Sequence, residues 1–221
     1  MSILLSYQNE SFYRRYGKRI LDIVLSLLGL LVLSPFLLLI VLLILLDSRG
    51  RPFFCQERLG RDLKPFRLVK LRSMVLAAHA SKGQFEPGCS ARVTRIGSIL
   101  RKTKVDELPA LFNVLRGDMS IVGPRPEVEK YVRAYPEDFK AILGIRPGLS
   151  DFASIKYRDE EAILASQPDP ERYYRQVILP DKLGLAKRYV EEMSFNTDLR
   201  IIVVTMKNIV AWERMGDVGN L

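Results

Sequence analysis

KVDELPALFNVL, at residues 104–115, places two adjacent carboxylates, Asp106 and Glu107, at the start of a periodic apolar segment. Leucine and phenylalanine recur after them at helical spacing, and Gly117 follows as a stop. The pattern therefore predicts an amphipathic helix with Asp106 as its N-cap and Glu107 in its first turn. A capping aspartate and a glutamate that complements the helix dipole explain the pair without chemistry. A catalytic carboxylate pair explains it equally well, so the surrounding chain has to decide.

The composition points to anionic partners and narrows the available chemistry. At 221 residues and 48% hydrophobic, the chain has material for one good-sized core, and its formal charge of +9 favours phospholipid head groups, phosphates, nucleotides or nucleic acid. His79 is the only histidine, which excludes histidine triads and multi-histidine metal sites. Cys55 and Cys89 form no zinc or disulfide pattern, and we interpret both as packing residues. Carboxylates must therefore carry any acid, base or nucleophilic chemistry.

An apolar segment near the N-terminus is long enough to cross a membrane. From Ile23 to Leu46 it contains 24 residues without a charge, which as a straight helix extend about 36 Å. A signal peptide fits poorly, because no small-residue cleavage site follows. The positive-inside rule gives no orientation, because basic residues flank both sides. They are Arg14, Arg15, Lys18 and Arg19 before the segment and Arg49, Arg51, Arg58 and Arg61 after it.

Ser34 and Pro35 lie in the middle of this segment and predict a kink or break. Proline removes one backbone hydrogen bond, and Ser34 can bond the carbonyl that is freed. A helix bent at Pro35 that enters and leaves by the same face satisfies both basic flanks. An ordinary kinked span remains the alternative, since prolines are common in spanning helices.

The part after the membrane segment predicts short strands and helices that carry cations. Residues 51–74 indicate a hairpin with Lys70 on its second strand, and Thr94 to Thr103 indicate a helix that brings Arg101 near Asp106, where cations are expected to lower the aspartate pKa. A solvated strand edge is the alternative for Lys70.

Two rigid turns and three further helices complete this part. Prolines flank Arg125 in Gly-Pro-Arg-Pro, which suits bidentate phosphate recognition, although an exposed turn is the alternative. Arg146 opens a second turn, Arg-Pro-Gly. The pattern also predicts helices at residues 127–141, from residue 158, and from Ser194 to about Arg214.

The ordered set of short motifs resembles the bacterial sugar transferase family, the small monotopic phosphoglycosyl transferases. Each motif is weak alone, but their order is specific and covers most of the chain. The matching residues are Lys18-Arg19 with Asp22, Ser34-Pro35, Gln56-Glu57-Arg58-Leu59-Gly60, Lys70-Leu71-Arg72-Ser73-Met74, Arg95-Ile96-Gly97, Asp106-Glu107-Leu108-Pro109, Leu111-Phe112-Asn113-Val114, Gly117-Asp118-Met119-Ser120, Gly123-Pro124-Arg125-Pro126, Arg146-Pro147-Gly148, Tyr189, Ser194, Asp198 and Thr205.

The resemblance implies an α-rich α/β fold with two parts. Residues 1–48 would form a basic segment and a re-entrant membrane helix hinged at Ser34-Pro35. Residues 49–221 would form a compact catalytic domain with a small sheet and amphipathic helices on the membrane surface. The protein would lie at the cytoplasmic face of the bacterial inner membrane, in contact with membrane lipids.

The resemblance also implies a Mg²⁺-dependent, two-step transfer of a sugar-1-phosphate from a UDP-sugar to a polyprenyl phosphate, the first membrane step of glycan assembly. Asp106 would be the nucleophile that holds the phospho-sugar after UMP leaves, and Glu107 a metal ligand together with Asp106. Phosphate contacts would come from Lys70, Arg101 and Arg125, with Arg146 as a weaker candidate. A carboxylate nucleophile, hard oxygen ligands and arginines at a phosphate agree with this chemistry.

One segment departs from the family pattern, and a different class of function competes. Leu149 to Glu161 replaces the Thr-Gly and Gln-Val-Asn-Gly-Arg stretches of many members, so contacts with the sugar and the nucleotide are open there. The competing hypothesis is a non-enzymatic, membrane-anchored binder of anionic lipid or nucleic acid, which predicts replaceable carboxylates. The chain has no known nucleic-acid motif, and we expect no nucleic-acid partner. Self-association as a homo-oligomer stays open.

Overall fold

A computed structural model of the chain describes residues 12–75 and 92–210. Ten α-helices occur in these ranges, namely α1 (Lys18–Asp47), α2 (Arg95–Thr103), α3 (Leu111–Arg116), α4 (Glu129–Val132), α5 (Pro136–Ile142), α6 (Phe152–Lys156), α7 (Glu160–Ala165), α8 (Pro170–Tyr173), α9 (Leu179–Glu192) and α10 (Phe195–Val210). The strands in the same ranges are β1 (Phe53–Leu59), β2 (Pro65–Leu71), β3 (Ser120–Val122) and β4 (Gly148–Ser150). His79, Cys89 and the predicted helical residues beyond Val210 lie outside the described residues.

The apolar N-terminal segment forms one long helix, as its composition predicts. Tyr13–Asp47 is, in the part of the chain that the structure describes, the one helix long and apolar enough to cross a membrane, and only 11% of its most apolar stretch is buried. The helix α1 runs on through Pro35 without ending there. Ser34 Oγ donates to the Leu31 carbonyl at 2.9 Å. That carbonyl lies four residues before Pro35 and has lost its usual donor, so the predicted hydrogen bond of Ser34 is present, whereas the hinge stays a prediction.

The first turns of α1 are bonded to the free edge of strand β3. The Asp22 carboxylate accepts from Ser120 Oγ at 2.9 Å and from the Ile121 backbone N–H at 2.8 Å. Lys18, one turn earlier, donates to the Val122 carbonyl at 2.8 Å. The two side chains stand four residues apart on one helix face, so they supply the hydrogen bonds that a further strand would give β3.

The last turns of α1 are bonded to the segment that follows strand β2. Arg72 Nη2 donates to the Ser48 carbonyl at 2.6 Å and to the Ile44 carbonyl at 3.3 Å, so one guanidinium satisfies the helix C-terminus. Ile40 and Ile44 pack with Leu71 and Leu100 in a small buried cluster. Both ends of α1 therefore contact the same globular part. Between them the helix is open, with Val32 73% and Leu38 71% exposed.

The two sheets each contain two strands, and the first sheet is the predicted hairpin. β1 pairs antiparallel with β2 from Phe53↔Leu71 to Leu59↔Pro65, which is the predicted hairpin. β3 pairs parallel with β4, and Gly123, directly after β3, lies against Gly148 at the start of β4. A Cβ on Gly148 would lie 2.1 Å from the Gly123 nitrogen, so only glycine fits where the two turns cross.

The main core lies among the helices that follow β3. Large buried side chains from α4, α5, α9 and the π-turn between α8 and α9 make one cluster, in which Tyr131, Phe139 and Tyr174 are at most 1% exposed. A single helix was expected at residues 127–141, and this expectation is wrong. Two helices, α4 and α5, occupy the range, because Pro136 starts a new helix rather than continuing the old one.

The helix expected to start at Asp106 is also different in the structure. Residues Val105–Ala110 form a 3₁₀ segment, and the α-helix begins only at Leu111. Lys104 adopts a left-handed conformation (φ 58°) that ends α2, and no side chain caps the 3₁₀ segment, so Asp106 is not an N-cap. The predicted stop is confirmed, since Gly117 ends α3 with φ 95°.

Candidate active site

The 3₁₀ segment Val105–Ala110 lies against strand β2 and carries both carboxylates of the pair. Glu107 Oε1 accepts from Lys70 Nζ at 2.8 Å. Arg125 Nη2 also donates to Oε1, and Arg125 Nη1 donates to Oε2 at 3.2 Å. The structure thus joins three residues that the sequence predicts for the site, and one carboxylate is held between two cations.

The environment of Glu107 keeps this carboxylate ionised. Burial alone would raise its pKa, but Arg125 and then Lys70 oppose burial with their charges and hydrogen bonds and hold the pKa well below its usual range. The effect is reciprocal for the arginine, because the charge of Glu107 raises the pKa of Arg125. The alternative of a solvated strand edge is therefore wrong for Lys70, and the alternative of an exposed turn is wrong for Arg125.

Asp106 stands next to this cluster in a different environment. Its side chain is buried, with the residue 8% exposed, and Oδ1 has no hydrogen-bond partner among the described residues. Burial, and then the negative charge of Glu107, raise the Asp106 pKa to about 6, although Lys70, Lys104 and Arg101 act in the opposite direction. The nearby cations do lower this pKa, as expected, but the net shift is upward because the cost of burying the charge is larger.

A small cavity opens beside Glu107 and is lined by charged and apolar side chains from four parts of the chain. The lining residues are Arg58, Leu68, Lys70, Glu107, Ala110, Met119, Arg125, Pro126, Gly148 and Leu149. Three cations face the one carboxylate of this lining. The cavity therefore favours an anion beside Glu107.

Arg58 also lines the cavity, although the sequence did not predict it as a site residue. Its Nη1 donates to Glu127 Oε2 at 3.0 Å and to the Pro126 carbonyl at 3.3 Å, while Tyr174 donates to Glu127 Oε1 at 2.5 Å. These bonds fix the two residues that follow Arg125. Strand period offered a signal, because Gln56 and Arg58 alternate with exposed residues and so put polar groups on the buried face of β1.

The segment that departs from the family pattern contacts two of the predicted phosphate-binding arginines. It forms β4, α6 and the start of α7. Asp151 Oδ2 accepts from the Arg125 backbone N–H at 3.4 Å, and Glu161 Oε1 accepts from Arg101 Nε at 3.0 Å and also from Arg101 Nη2. Arg101 is thus close enough to affect the Asp106 pKa, but its hydrogen bonds go to Glu161.

Arg146 is not brought to the cavity. Its main chain lies against Gly123, yet its Nε donates to the Gly117 carbonyl at 2.8 Å, at the far end of α3 from the carboxylate pair. Arg19 from the membrane helix reaches the same end and donates to Val114 and Leu115. Arg146 is the one predicted phosphate contact that the structure separates from the other five predicted site residues, Asp106, Glu107, Lys70, Arg101 and Arg125.

The carboxylate pair offers the hard oxygens that Mg²⁺ prefers, but few of them. Within residues 12–75 and 92–210, no group of three or more acidic, histidine or cysteine side chains converges on a metal position. Mg²⁺ commonly binds through one or two carboxylates together with substrate phosphates and water, so Asp106 and Glu107 fit such an ion. Asp106 Oδ1 has no hydrogen-bond partner among the described residues, whereas both Glu107 oxygens already accept from cations.

An exposed apolar helix joined at both ends to a domain with a buried carboxylate and a cation-lined cavity defines a membrane-associated protein with an anion site. Comparison with known proteins agrees with this class. The family model described as bacterial sugar transferase matches residues 13–212, and the chain belongs to this family.

Individual relatives are similar over most of the chain. A UDP-glucose:undecaprenyl-phosphate glucose-1-phosphate transferase of Caulobacter vibrioides is 36% identical over 87% of the chain and 69% of its own length. A UDP-N-acetylgalactosamine-undecaprenyl-phosphate N-acetylgalactosaminephosphotransferase of Aeromonas hydrophila is 33% identical over 87% of the chain, which spans 43% of that relative. An exopolysaccharide production protein of Sinorhizobium fredii is 31% identical over 86% of the chain and 84% of its own length.

Proposed function

We propose that the protein transfers a sugar-1-phosphate from a UDP-sugar to undecaprenyl phosphate, with Asp106 as a covalent nucleophile. Family membership and the names of the relatives support the overall reaction. The observation that carries the role of Asp106 is its buried Oδ1, which has no hydrogen-bond partner among the described residues beside a glutamate held by two cations. A buried carboxylate oxygen without a partner costs stability, and such groups occur where chemistry needs them.

In the first step, Asp106 Oδ1 attacks the β-phosphorus of the UDP-sugar. A new bond forms between Oδ1 and phosphorus, the bond from phosphorus to the oxygen that bridges the two phosphates breaks, and UMP leaves with that electron pair. A pKa of about 6 leaves most of Asp106 ionised at neutral pH, so no base is needed to activate it. Lys70 and Arg125 would bind the phosphate oxygens where their charge grows in the transition state.

In the second step, a phosphate oxygen of the lipid acceptor attacks the same phosphorus. The bond to Asp106 Oδ1 breaks, and the carboxylate is restored as the sugar diphosphate lipid leaves. Bound Mg²⁺ would supply charge neutralisation at the phosphates, held by Asp106 and Glu107. Glu107 would then give up some of its hydrogen bonds with Lys70 and Arg125 in order to bind the ion, and these two cations would become free to bind the substrate.

The membrane helix is proposed to be re-entrant, with the catalytic part on the cytoplasmic side. Support comes from its two ends, because Asp22 bonds to β3 and Arg72 bonds to the Ser48 carbonyl within the same globular part. A helix that crossed the bilayer would separate its ends by about 30 Å of hydrocarbon.

Labelling of the two ends of α1 tests this topology. In a background with Cys55 and Cys89 replaced by serine, Arg15→Cys and Arg49→Cys are each exposed to a membrane-impermeant maleimide in vesicles of one orientation. Equal protection or equal labelling is expected at the two positions. Labelling of one position from outside and of the other only after lysis would overturn re-entry.

Intact-protein mass after mixing with Mg²⁺ and single UDP-sugars, without lipid acceptor, tests the covalent step. UDP-glucose and UDP-N-acetylgalactosamine head the panel, because relatives carry both specificities in their names. We expect a mass gain of one sugar-phosphate with one donor, release of UMP, and loss of the added mass when undecaprenyl phosphate is supplied. The pathway served, including exopolysaccharide assembly, follows from the donor that reacts.

A matched pair of variants assigns the mass gain to one residue. Asp106→Asn is expected to remain unmodified. Asp62→Asn is the control, because Asp62 is an exposed carboxylate with a left-handed backbone (φ 56°) that asparagine also adopts. A modified Asp106→Asn protein would remove the nucleophile role. A wild-type protein with neither mass gain nor UMP release, even with lipid acceptor present, would return the non-enzymatic anionic-lipid binder as the better hypothesis.

A further inference from the structure

The C-terminal end of helix α3 collects arginines that the proposed chemistry does not use. Arg19 Nη1 donates to the Val114 carbonyl at 2.6 Å, and Arg146 Nε donates to the Gly117 carbonyl at 2.8 Å. A Cβ placed on Gly117 would lie 3.5 Å from Arg19 Nη2, so both guanidinium groups meet at one residue. The last carbonyls of a helix need hydrogen-bond donors, so the helix C-terminus explains these hydrogen bonds.

The two guanidinium groups have more donor capacity than these carbonyls consume. Arg146 Nη1 and Nη2 make no hydrogen bond within residues 12–75 and 92–210. A guanidinium offers five N–H donors in a planar fork, and the unused pair of Arg146 matches the two oxygens of a phosphate.

Arg61 brings a third positive charge to the same corner. The neighbouring Asp62 N–H donates to the Leu143 carbonyl at 2.8 Å, which ties the β1–β2 loop to the chain just before Arg146. Burial lowers the pKa of Arg146, and the charges of Arg19 and Arg61 lower it further, with Asp22 acting in the opposite direction. The charge of Asp22 offsets only part of this repulsion, because the net shift of the Arg146 pKa is downward.

The corner lies at the level where the lipid-facing surface of α1 begins. Arg19 is followed directly by Ile20, which is 58% exposed, and one turn later by Ile23. Phe112 on α3 is exposed as well. Cations at the start of an exposed apolar surface lie at the depth at which lipid head groups carry their phosphates.

We propose that Arg19, Arg61 and Arg146 form a second phosphate site, separate from the carboxylate pair, that binds the phosphate of an anionic membrane lipid. Arg146 supplies the bidentate fork, Arg19 supplies charge from the helix itself, and Arg61 closes the outer side. Bound lipid would fix the depth of the catalytic part relative to the head groups. This site goes beyond the proposed transfer reaction and does not depend on it.

Native mass spectrometry of protein released from nanodiscs tests the site directly. The discs contain phosphatidylcholine with a minority of phosphatidylglycerol, and the readout is the number of phosphatidylglycerol molecules retained. Arg146→Gln and Arg61→Gln are each expected to weaken retention about fivefold, since one basic residue near an anionic surface contributes roughly that factor. Arg61→Gln guards against misfolding, because Arg61 is exposed and, among the described residues, forms an ion pair only with its neighbour Asp62.

Arg133→Gln is the matched control, because Arg133 is an exposed arginine whose one ion pair within residues 12–75 and 92–210 is with Glu129, one turn away. Wild-type retention in both test variants would overturn the site, and so would an equal loss in Arg133→Gln, which would indicate surface charge alone. Inorganic phosphate that displaces phosphatidylglycerol at low concentration would overturn the lipid assignment. Preference for undecaprenyl phosphate, lost in Arg146→Gln, would support the site and identify its lipid. Retention needs no turnover, so its failure leaves the transferase proposal untouched.

Discussion

Two buried ion clusters of the protein differ in how completely their groups are hydrogen-bonded. In the helix-base cluster, formed by Lys18, Tyr189, Asp198 and Tyr13, both Asp198 oxygens accept hydrogen bonds and Lys18 donates three. In the dyad cluster, formed by Asp106, Glu107, Lys70 and Arg125, Glu107 is fully engaged, but Asp106 Oδ1 has no partner among the described residues.

The difference separates structure from chemistry. A buried cluster with every group bonded holds elements together, and removing one member leaves an uncompensated charge. A buried cluster with one unbonded carboxylate oxygen retains a reactive group at a cost in stability. The helix-base cluster should therefore respond to mutation in folding, and the dyad cluster in activity.

The largest effect is expected from Asp106→Asn, and it should appear in activity alone. Loss of the nucleophile should reduce the burst of UMP release by about 10⁴-fold or more. The free energy of unfolding should stay the same or rise on the order of 1 kcal/mol, because a buried charge with a raised pKa is removed. Rapid-quench assays and denaturant unfolding in detergent measure the two quantities. A loss of stability that parallels the loss of activity would contradict the distinction between a structural helix-base cluster and a reactive dyad cluster.

Lys18→Met should show the reverse pattern. Asp198 would remain buried at 1% exposure without its cation, which typically costs about 3–5 kcal/mol. Activity per folded molecule should change little. Lys156→Met is the control, because the exposed Lys156–Asp181 pair should contribute less than about 1 kcal/mol. Equal unfolding free energies for the two variants would contradict the structural role of the helix-base cluster.

Lys70→Met tests whether a cation of the dyad cluster serves the phosphate. We expect about a 10²-fold loss in the rate of UMP release, as for removal of one preorganised donor. Lys64→Met, an exposed lysine in the loop of the same hairpin, should stay near wild type. A Lys70→Met rate within about threefold of wild type would confine Lys70 to the support of Glu107.

The smallest effect concerns pH and can be measured without substrate or metal. The Asp106 pKa rises from 3.8 in the unfolded chain to about 6 in the fold, so the folded protein binds more protons between these values. The contribution of Asp106 to stability is therefore complete below about pH 4 and is lost as the pH rises through 6. The unfolding free energy of wild type, measured in chelator, should therefore fall relative to that of Asp106→Asn as the pH rises over this window. A difference independent of pH would show that the pKa is not raised.

The sequence predicts most of the architecture because local signals are strong there. Apolar length identifies α1, alternating residues identify the hairpin, Thr94 caps α2 with a bond to the Gly97 N–H, and Gly117 ends α3. Flanking prolines also identify the turn that holds Arg125. Each of these features depends on residues that are neighbours in the sequence, so the sequence alone predicts it.

The sequence does not predict how burial sets the properties of the site. Charges near Asp106 were visible, but the desolvation that raises its pKa depends on packing by distant segments. The partner of Arg101 is Glu161, sixty residues later, and Arg146 turns toward Gly117 although its backbone lies beside Gly123. The sequence does not predict the role of Arg58 either, because that role depends on contacts with Pro126 and Glu127, which are distant in the chain.

The bond between Lys18 and Asp198 joins residues 180 positions apart, and this separation sets an order of events during synthesis. The ribosome makes Lys18 long before its partner Asp198. Until Asp198 is made, the Lys18 ammonium needs water, which the head-group region supplies and the hydrocarbon does not. We therefore expect the membrane helix to stay at the surface, with Lys18 in contact with water, until helix α10 supplies Asp198. A ribosome stalled before residue 198 would leave an inserted but unlocked protein, which is a state that quality-control proteases can recognise.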